Sequence, residues 1–593
     1  MCGIVGYIGT NVKRNLIQSL KKLEYRGYDS AGISWVDNNS IYIIKRKGYI
    51  NNLEKQINYN LNFNTVGIAH TRWATHGEAN NKNAHPHYSN SKEFSLVHNG
   101  IIENYSEIKS FLKENNYYFL SDTDSEVIVN LIEYFYNIGH DVLRALNLTC
   151  KKLKGSYSIS LLHNTEQKIY FAKYNMPLYV DAENFFVASD VNAFIKKSSK
   201  IYSVENLEYG YISLNGIKFF KQGKEITKKA LKIESVTEQN SKNGYEHFML
   251  KEINEIDNAI KNTILSYKSS KKLEKIIQNI DKVYLIACGT AYHACLNGEK
   301  FLIKYAKINA FSFIASEFFL SPPIIDKNTL CVFISQSGET ADTINSLKLA
   351  KKKHAKTLVI TNVKTSSIAR LANINYFTEA GPEIAVASTK AYNTQVAILY
   401  KIVVDICKIK GTNIKELTIH DNLKIKEINE KVEVFKTIAE SVLKYDKVYY
   451  LGRNLDYVQA QEGSLKLKEI TYINCQAISA GELKHGTLSL IDNDSLVIDI
   501  LTEKDKLDKN INNINEILSR NGNVLFISPF KEEIENKLKH KMTDNFIELP
   551  KIYNAFYPLI TSIPLFYLAY FVSIRKGINP DKPRNLAKSV TVE

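Results

Sequence analysis

The chain has 593 residues, 44% of them hydrophobic and 23% charged. That is an ordinary globular composition over more length than a single core uses, so about three or four domains are expected. The net charge of +15 comes from lysines scattered among asparagines and isoleucines, which excludes a nucleic-acid interface of the usual basic and aromatic kind and leaves a modest attraction for an anionic substrate.

The chain opens "MCGIVGYIG", without the basic start, long apolar run and small-residue cleavage site of a secretory leader. If the Met is removed, Cys2 carries a thiol and a free α-amine on one residue. With a solution pKa of about 7.7–8.0 the amine is partly neutral near pH 7, so Cys2 is a nucleophile with its own base. A chance Met-Cys start on a buried strand is the plainer alternative. The other cysteines stand at 150, 288, 295, 331, 407 and 475; seven in all, with no CxxC pair, exclude a disulfide framework or zinc ribbon and fit a cytoplasmic location.

To about residue 235, short strands such as "SIYIIKRKG", "FFVASD" and "YGYISLNG" alternate with helices such as "SDTDSEVIVNLIEYFYNI", a mixed α/β pattern. Five histidines between 70 and 98 surround "AHTRWATHG" and "VHNGIIEN", but their spacings fit no zinc site and no metal is expected. Arg72 can grip a carboxylate through two parallel hydrogen bonds. Asn99 and Gly100 offer a side-chain amide and a backbone N–H, the makings of an oxyanion hole.

Polar "TEQNSKNGYEH" then marks a linker over 236–250, followed by an amphipathic helical stretch from about Met249 to Leu273. Beyond it the chain is duplicated. "DKVYLIACG" at Asp281 returns as "DKVYYLGRN" at Asp446, an offset of 446 − 281 = 165. The same offset lays Ile308 onto Ile473 and "LCVFISQSGET" from Leu330 onto "SLVIDILTEKD" from Ser495. Each copy runs strand, helix, strand, helix, so two Rossmann-like lobes are expected.

In the first lobe an apolar strand ends in "SQSGET" and opens a helix. Its hydroxyls and N–H groups form an anion site suited to a phosphorylated sugar, there being no Walker lysine and no G-x-G-x-x-G; a Ser-capped helix without ligand is the alternative. The second lobe has lost these serines and has another task. Its Lys466 and Glu469 lie three apart on one helix face and His485 sits in a Gly-bounded turn; together they suit proton transfer along a carbon chain, while a solvated helix face is the plainer reading of the pair. Near the end, "AFYPLITSIPLFYLAYFVSI" holds two prolines and reads as a buried helical hairpin, so no membrane partner is expected.

Taken in order, "CGIVGYIG", "YRGYDSAG", "TRWATHG", "HNGIIEN" and "SDTDSE", then "CGTAYHA", "ISQSGETADT", "VASTKAY", "EGSLKLKEI", "GELKHG" and "PRNLAKSVTVE", the chain resembles the glutamine-dependent fructose-6-phosphate aminotransferases over essentially its whole length. The resemblance implies an N-terminal-nucleophile (αββα) glutaminase domain over 2–235, two sugar isomerase (SIS) lobes over 251–430 and 431–575, and a tail, 576–593, that contributes to the sugar site. It implies that glutamine supplies ammonia to turn fructose 6-phosphate into glucosamine 6-phosphate, the first step of the hexosamine pathway, without a metal or organic cofactor.

By the same resemblance Cys2 attacks the glutamine amide, Asn99 and Gly100 hold the oxyanion, and Arg72, Thr75, His76, Gly100 and Asp124 bind glutamine. Trp73 gates an ammonia channel. Thr290, Ser335, Gln336, Ser337, Thr340, Val386 and Ala387 hold the sugar phosphate. Glu469, supported by Lys466, moves the C1 proton to C2. His485 opens the ring from the neighbouring subunit of a homodimer, and Lys588 forms a Schiff base. Two positions depart from the family pattern: Ala291 replaces a usual serine and Thr487 a common proline.

Phosphoribosyl amidotransferases, asparagine synthetases and glutamate synthases would share the first half, but their further sites are missing from the sequence. A non-catalytic phosphosugar sensor would need only the phosphate loop. The tail, with Pro580 and Pro583 and few charges near its end, should pack over the second lobe's sugar site.

Overall fold

The computed structural model describes residues 2–59, 65–74, 76–196, 198–231, 241–418, 420–539 and 545–590. It divides into two compact units, residues 1–238 with 589–593, and residues 239–588. Part of the expected linker, 236–240, lies outside the described residues.

The first unit is built on two seven-stranded sheets whose paired strands run antiparallel. Strand Gly3–Gly9 lies inside the first sheet, between Thr65–Arg72 and Phe186–Ala188. The inner faces of both sheets are apolar and meet in one layer that includes Ile4, Ile68, Val97, Leu162 and Phe171. Helix Val12–Lys21 covers the outside of the first sheet. Helices Tyr105–Glu114, Glu126–Asn137 and Val142–Lys152 cover the outside of the second. Sheets with one apolar face on each other and one under helices give four layers, αββα.

The second unit holds two five-stranded parallel sheets. In the first lobe the strand order is Asn309–Ile314, Lys282–Ala287, Thr329–Ile334, Lys356–Thr361, Ile374–Phe377. The second repeats it with Cys475–Ser479, Lys447–Gly452, Ser495–Ile500, Asn523–Ser528 and Phe546–Glu548. This 2-1-3-4-5 order puts a topological switch point, where ligands of such sheets bind, at the ends of Lys282–Ala287 and Thr329–Ile334 and of their counterparts. One core runs through both lobes, joining helices Gly289–Phe301 and Lys390–Lys410 to Leu455–Thr471 and Ser562–Arg575.

Three expectations need correction. The duplication is not in constant register. Val283 pairs with Leu330 and Val448 with Leu496, so the offset grows from 165 to 166 at the third strand, and Leu330 corresponds to Leu496 instead of Ser495. The alternation of similar apolar residues hid the inserted residue. The end of the 236–250 segment is not a free linker, because helix Phe248–Asn254 already sits in the lobe core with Met249 buried. The apolar run near the C-terminus is a 3-10 turn, Asn554–Leu559, followed by one helix, Ser562–Arg575, and not a hairpin. By length and composition this is the one candidate to cross a membrane among the described residues, and its apolar stretch is wholly buried inside the protein.

The tail is tied back to the start of its unit. The Asp581 carboxylate accepts the N–H groups of Phe248 and Met249, both at 2.8 Å, capping the first turn of helix Phe248–Asn254. Asp581→Ala leaves these donors without their charged acceptor, which should cost about 1.5–3 kcal/mol. A lower urea midpoint, read by circular dichroism, checks this; an unchanged midpoint would show that the cap contributes nothing.

Candidate active sites

In the first unit, Gly3 pairs with Thr71, so Cys2 stands at the end of that strand pair, beside Trp73. The thiol accepts the Trp73 N–H at 3.3 Å and lies 3.5 Å from the Trp73 carbonyl. Burial pushes the thiol pKa upward, with the Trp73 N–H and the Arg72 charge pulling the other way. A thiol so placed needs a base to become a nucleophile.

Asn99 donates from Nδ2 to the Cys2 carbonyl at 3.1 Å, and its Oδ1 lies 3.0 Å from His70 Nε2. His70 Nε2 is also 3.0 Å from the His98 carbonyl. Both neighbours are acceptors, so Nε2 carries the hydrogen, and this tautomer turns the Asn99 amino group toward Cys2. Burial pushes His70 down to about 3, which keeps the ring neutral. The histidine count alone could not reveal this role; the packing of the two sheets, which brings His70 of one against His98 and Asn99 of the other, does.

Gly100 has φ +129°, and a Cβ there would stand 2.0 Å from the Ser156 carbonyl oxygen, so the position admits only glycine. Arg72 is buried and donates to the carbonyls of His76, Gly77 (3.2 Å) and Glu78 (3.1 Å). Its fork is thus occupied by the 76–78 loop. Burial lowers its pKa while Cys2, Asp29 and Asp124 raise it, which places these groups in one electrostatic neighbourhood. Asp124 accepts the Ile102 N–H at 2.8 Å. The half-buried His76 stands edge-on to Tyr105, and its Nδ1 has no hydrogen-bond partner among the described residues. Trp73 is edge-to-face with Tyr28. Thr75 lies outside the described residues.

In the second unit the loop after Thr329–Ile334 is wound on its own hydroxyls. Ser335 Oγ sits 2.9 Å from Thr340 Oγ1 and accepts the Gly338 N–H, while Ser337 Oγ accepts the Glu339 N–H. Helix Ala341–Lys352 starts there, and the Gln336 carbonyl accepts the Asn362 N–H. Ser335, Gln336, Ser337 and Thr340 are therefore gathered at the switch point. Thr290, at the start of helix Gly289–Phe301, donates to Glu462 Oε1 at 3.1 Å. Val386 and Ala387 are buried, and the Val386 N–H reaches the Asp581 carbonyl.

Lys466 is 1% exposed, which rules out a solvated helix face. Its Nζ lies 2.6 Å from Glu469 and 3.6 Å from Glu462. Burial alone would lower the Lys466 pKa, but Glu469 and Glu462 more than offset it and hold the lysine charged. Glu462 was missed in the sequence, although it precedes Lys466 by one helical turn; its other oxygen meets His293 at 2.7 Å. His485 is exposed on the turn Glu482–His485 and makes no hydrogen bond to this cluster.

The tail reaches the second lobe, where the Arg584 N–H donates to the Tyr472 hydroxyl at 2.7 Å. Lys588 pairs with Glu383, a buried carboxylate before helix Lys390–Lys410 that also accepts the N–H groups of Thr389 and Ala391 and whose charge acts on Lys466. A buried carboxylate needs a cation, and Lys588 supplies it. Beside it, Glu252 accepts the Ile384 N–H at 2.5 Å. A cavity of about 470 Å3 opens near this loop, lined by Lys251, Glu255, Asn258, Pro382 and Lys390; it holds none of the expected sugar residues.

Three regions match two known domains: the SIS domain at residues 276–404 and 441–569, and the glutamine amidotransferase domain at 57–265. A glutamine–fructose-6-phosphate aminotransferase (isomerizing) of Clostridium tetani is 43% identical over the full length of both chains. The protein of that name from Pyrococcus horikoshii is 38% identical, again over both full lengths. The chain belongs to the isomerizing glutamine–fructose-6-phosphate aminotransferase family. Among solved structures, the C-terminal domain of a glucosamine-fructose-6-phosphate aminotransferase from Francisella tularensis matches 58% of this chain and all of that one, at 35% identity and a TM-score of 0.54.

Glu252 gives a pH signature for this family member. Burial, then the neighbouring Glu383 charge, push it from 4.5 to about 8. Between those values the native state holds a proton that the unfolded chain has released, so stability falls as pH rises, by at most about 1.4 kcal/mol per pH unit. Glu252→Gln removes this slope. Denaturant midpoints should show the variant gaining on the parent steadily from pH 5 to pH 8; parallel curves would refute the assignment.

Proposed function

We propose that the first unit hydrolyses L-glutamine to glutamate and ammonia and that the second uses the ammonia to convert fructose 6-phosphate to glucosamine 6-phosphate and water. With Met1 removed, the Cys2 amine takes the thiol proton and the sulfur attacks the side-chain amide. The oxyanion falls to Asn99 Nδ2 and the Gly100 N–H, ammonia leaves with the transferred proton, and water cleaves the thioester. Arg72 and Asp124 receive the substrate's carboxylate and ammonium; for Arg72 this means exchanging carbonyl partners in the 76–78 loop. Thr75 and His76 complete the pocket, and Trp73 gates the passage of ammonia.

At the second centre the hydroxyl loop takes the phosphate, with Val386 and Ala387 along its wall. Lys588 leaves Glu383, loses a proton and condenses with the C2 carbonyl, releasing water. Ammonia displaces the lysine, and Glu469 carries the C1 proton to C2 with Lys466 balancing its charge. His485, exposed here, serves the site of a second copy in a homodimer. The family's printed activity supports the overall reaction, and the free thiols support a reducing, cytoplasmic setting. The observation that carries the reading is the Lys466–Glu469 pair, since a phosphosugar sensor has no use for a buried lysine, 1% exposed, held charged against a partly open carboxylate, 21% exposed.

Incubation with glutamine and fructose 6-phosphate should yield glucosamine 6-phosphate and glutamate in equal amounts. Cys2→Ala should abolish glutamine hydrolysis and leave sugar phosphate binding intact; loss of both would refute the division of labour. Borohydride should trap fructose 6-phosphate on the tail peptide. Lys588→Arg keeps the charge on Glu383 but forms no imine, so it should lose the synthase reaction, and an undiminished product yield would remove Lys588 from the mechanism.

A further inference from the structure

With the corrected register, the two switch points can be compared residue for residue. Thr502 and Glu503 stand where the first lobe has Gln336 and Ser337, and Asp456 stands where it has Ala291. Asp456 is 1% exposed, at the start of helix Leu455–Thr471. Its Oδ2 accepts the N–H groups of Thr502 (2.8 Å) and Glu503 (3.4 Å), and its Oδ1 accepts the Thr502 hydroxyl at 2.5 Å. These two N–H groups correspond to those the first-lobe loop would turn toward a phosphate. Ala291 has no atom that could reach across in the same way.

We propose that the second lobe retains a phosphate-type loop that Asp456 fills with its own carboxyl group, so that the duplicated fold offers one phosphosugar site per chain. This rests on the placement of the sugar phosphate at the first-lobe loop. Lost serines alone would weaken a phosphate site, but here the donors remain and are occupied. Burial pushes the Asp456 carboxyl up to about 8 against the pull of its three donors, and in either protonation state both oxygens stay on the loop. Glu503 adds a second carboxylate at the mouth, held by Asn454 Nδ2 at 2.8 Å. An incoming phosphate dianion would meet an occupied loop and a like charge.

The prediction is that removing the side chain reopens the site. Asp456→Ala should melt below the parent in chloride, and inorganic phosphate at equal ionic strength should raise its melting temperature by about 2–4 °C more than it raises the parent's. Asp456→Asn still fills the loop and should follow the parent. The extra phosphate response should survive Ser337→Ala in the same chain, which distinguishes it from the first-lobe site. If Ser337→Ala leaves fructose 6-phosphate affinity unchanged, the first-lobe reading fails while the Asp456 result stands on its own. Should Asp456→Ala not fold in chloride, refolded yield in phosphate becomes the readout. A phosphate response equal to the parent's, or no rescue of folding, overturns the proposal.

Discussion

Glu462 is the carboxylate on which the second unit is organised. It is fully buried in the core shared by both lobes, and each oxygen is committed: one to Thr290, the other to His293, with the Lys466 ammonium one helical turn away. A charge so far from water persists only when donors surround it. Two of these donors come from the first lobe and the third from the second, so correct docking of the lobes and the charge balance of the reaction centre are the same requirement. The Lys466–Glu469 pair follows, because Lys466 is held between two carboxylates on its own helix.

Glu383, whose charge acts on Lys466, takes two backbone N–H groups and the Lys588 ammonium while Glu252 stays protonated beside it. The lysine proposed to attack the sugar is thus stored as an ion pair. Its release is an electrostatic exchange, and an anionic phosphate arriving nearby alters the balance that holds it. In the first unit the ordering element is neutral: the His70 tautomer orients Asn99 through one hydrogen bond, in a cluster of histidines kept uncharged by burial.

Much of this was legible in the sequence. The alternation of strands and helices, the duplicated "DKVY" segments and the "SQSGET" loop declare their elements through periodicity and turn chemistry, which are local properties. Cys2, Asn99 and Lys466 announce themselves by chemical type. What stayed hidden depends on which residues meet across strands and lobes. The one-residue shift at Leu496 is invisible where apolar residues alternate with their like. Glu383 and Glu462 read as ordinary acidic residues until burial shows that they cannot be solvated. Lys588 could be picked out through the family resemblance, but its partner could not, since 205 residues separate them.

The Asp581 cap has a consequence for synthesis of the chain. Its two acceptor contacts close loops of 332 and 333 residues, so the helix that opens the second unit lacks its cap until nearly the whole polypeptide has been made. Such long-range closure is slow and is entropically costly before it is rewarded. During translation residues 1–238 of the glutaminase unit emerge first, whereas the sugar-processing unit waits for its own last residues. A chain that terminates early therefore lacks both the cap and the tail lysine, and the ammonia-releasing half is separated in time from the half that consumes it.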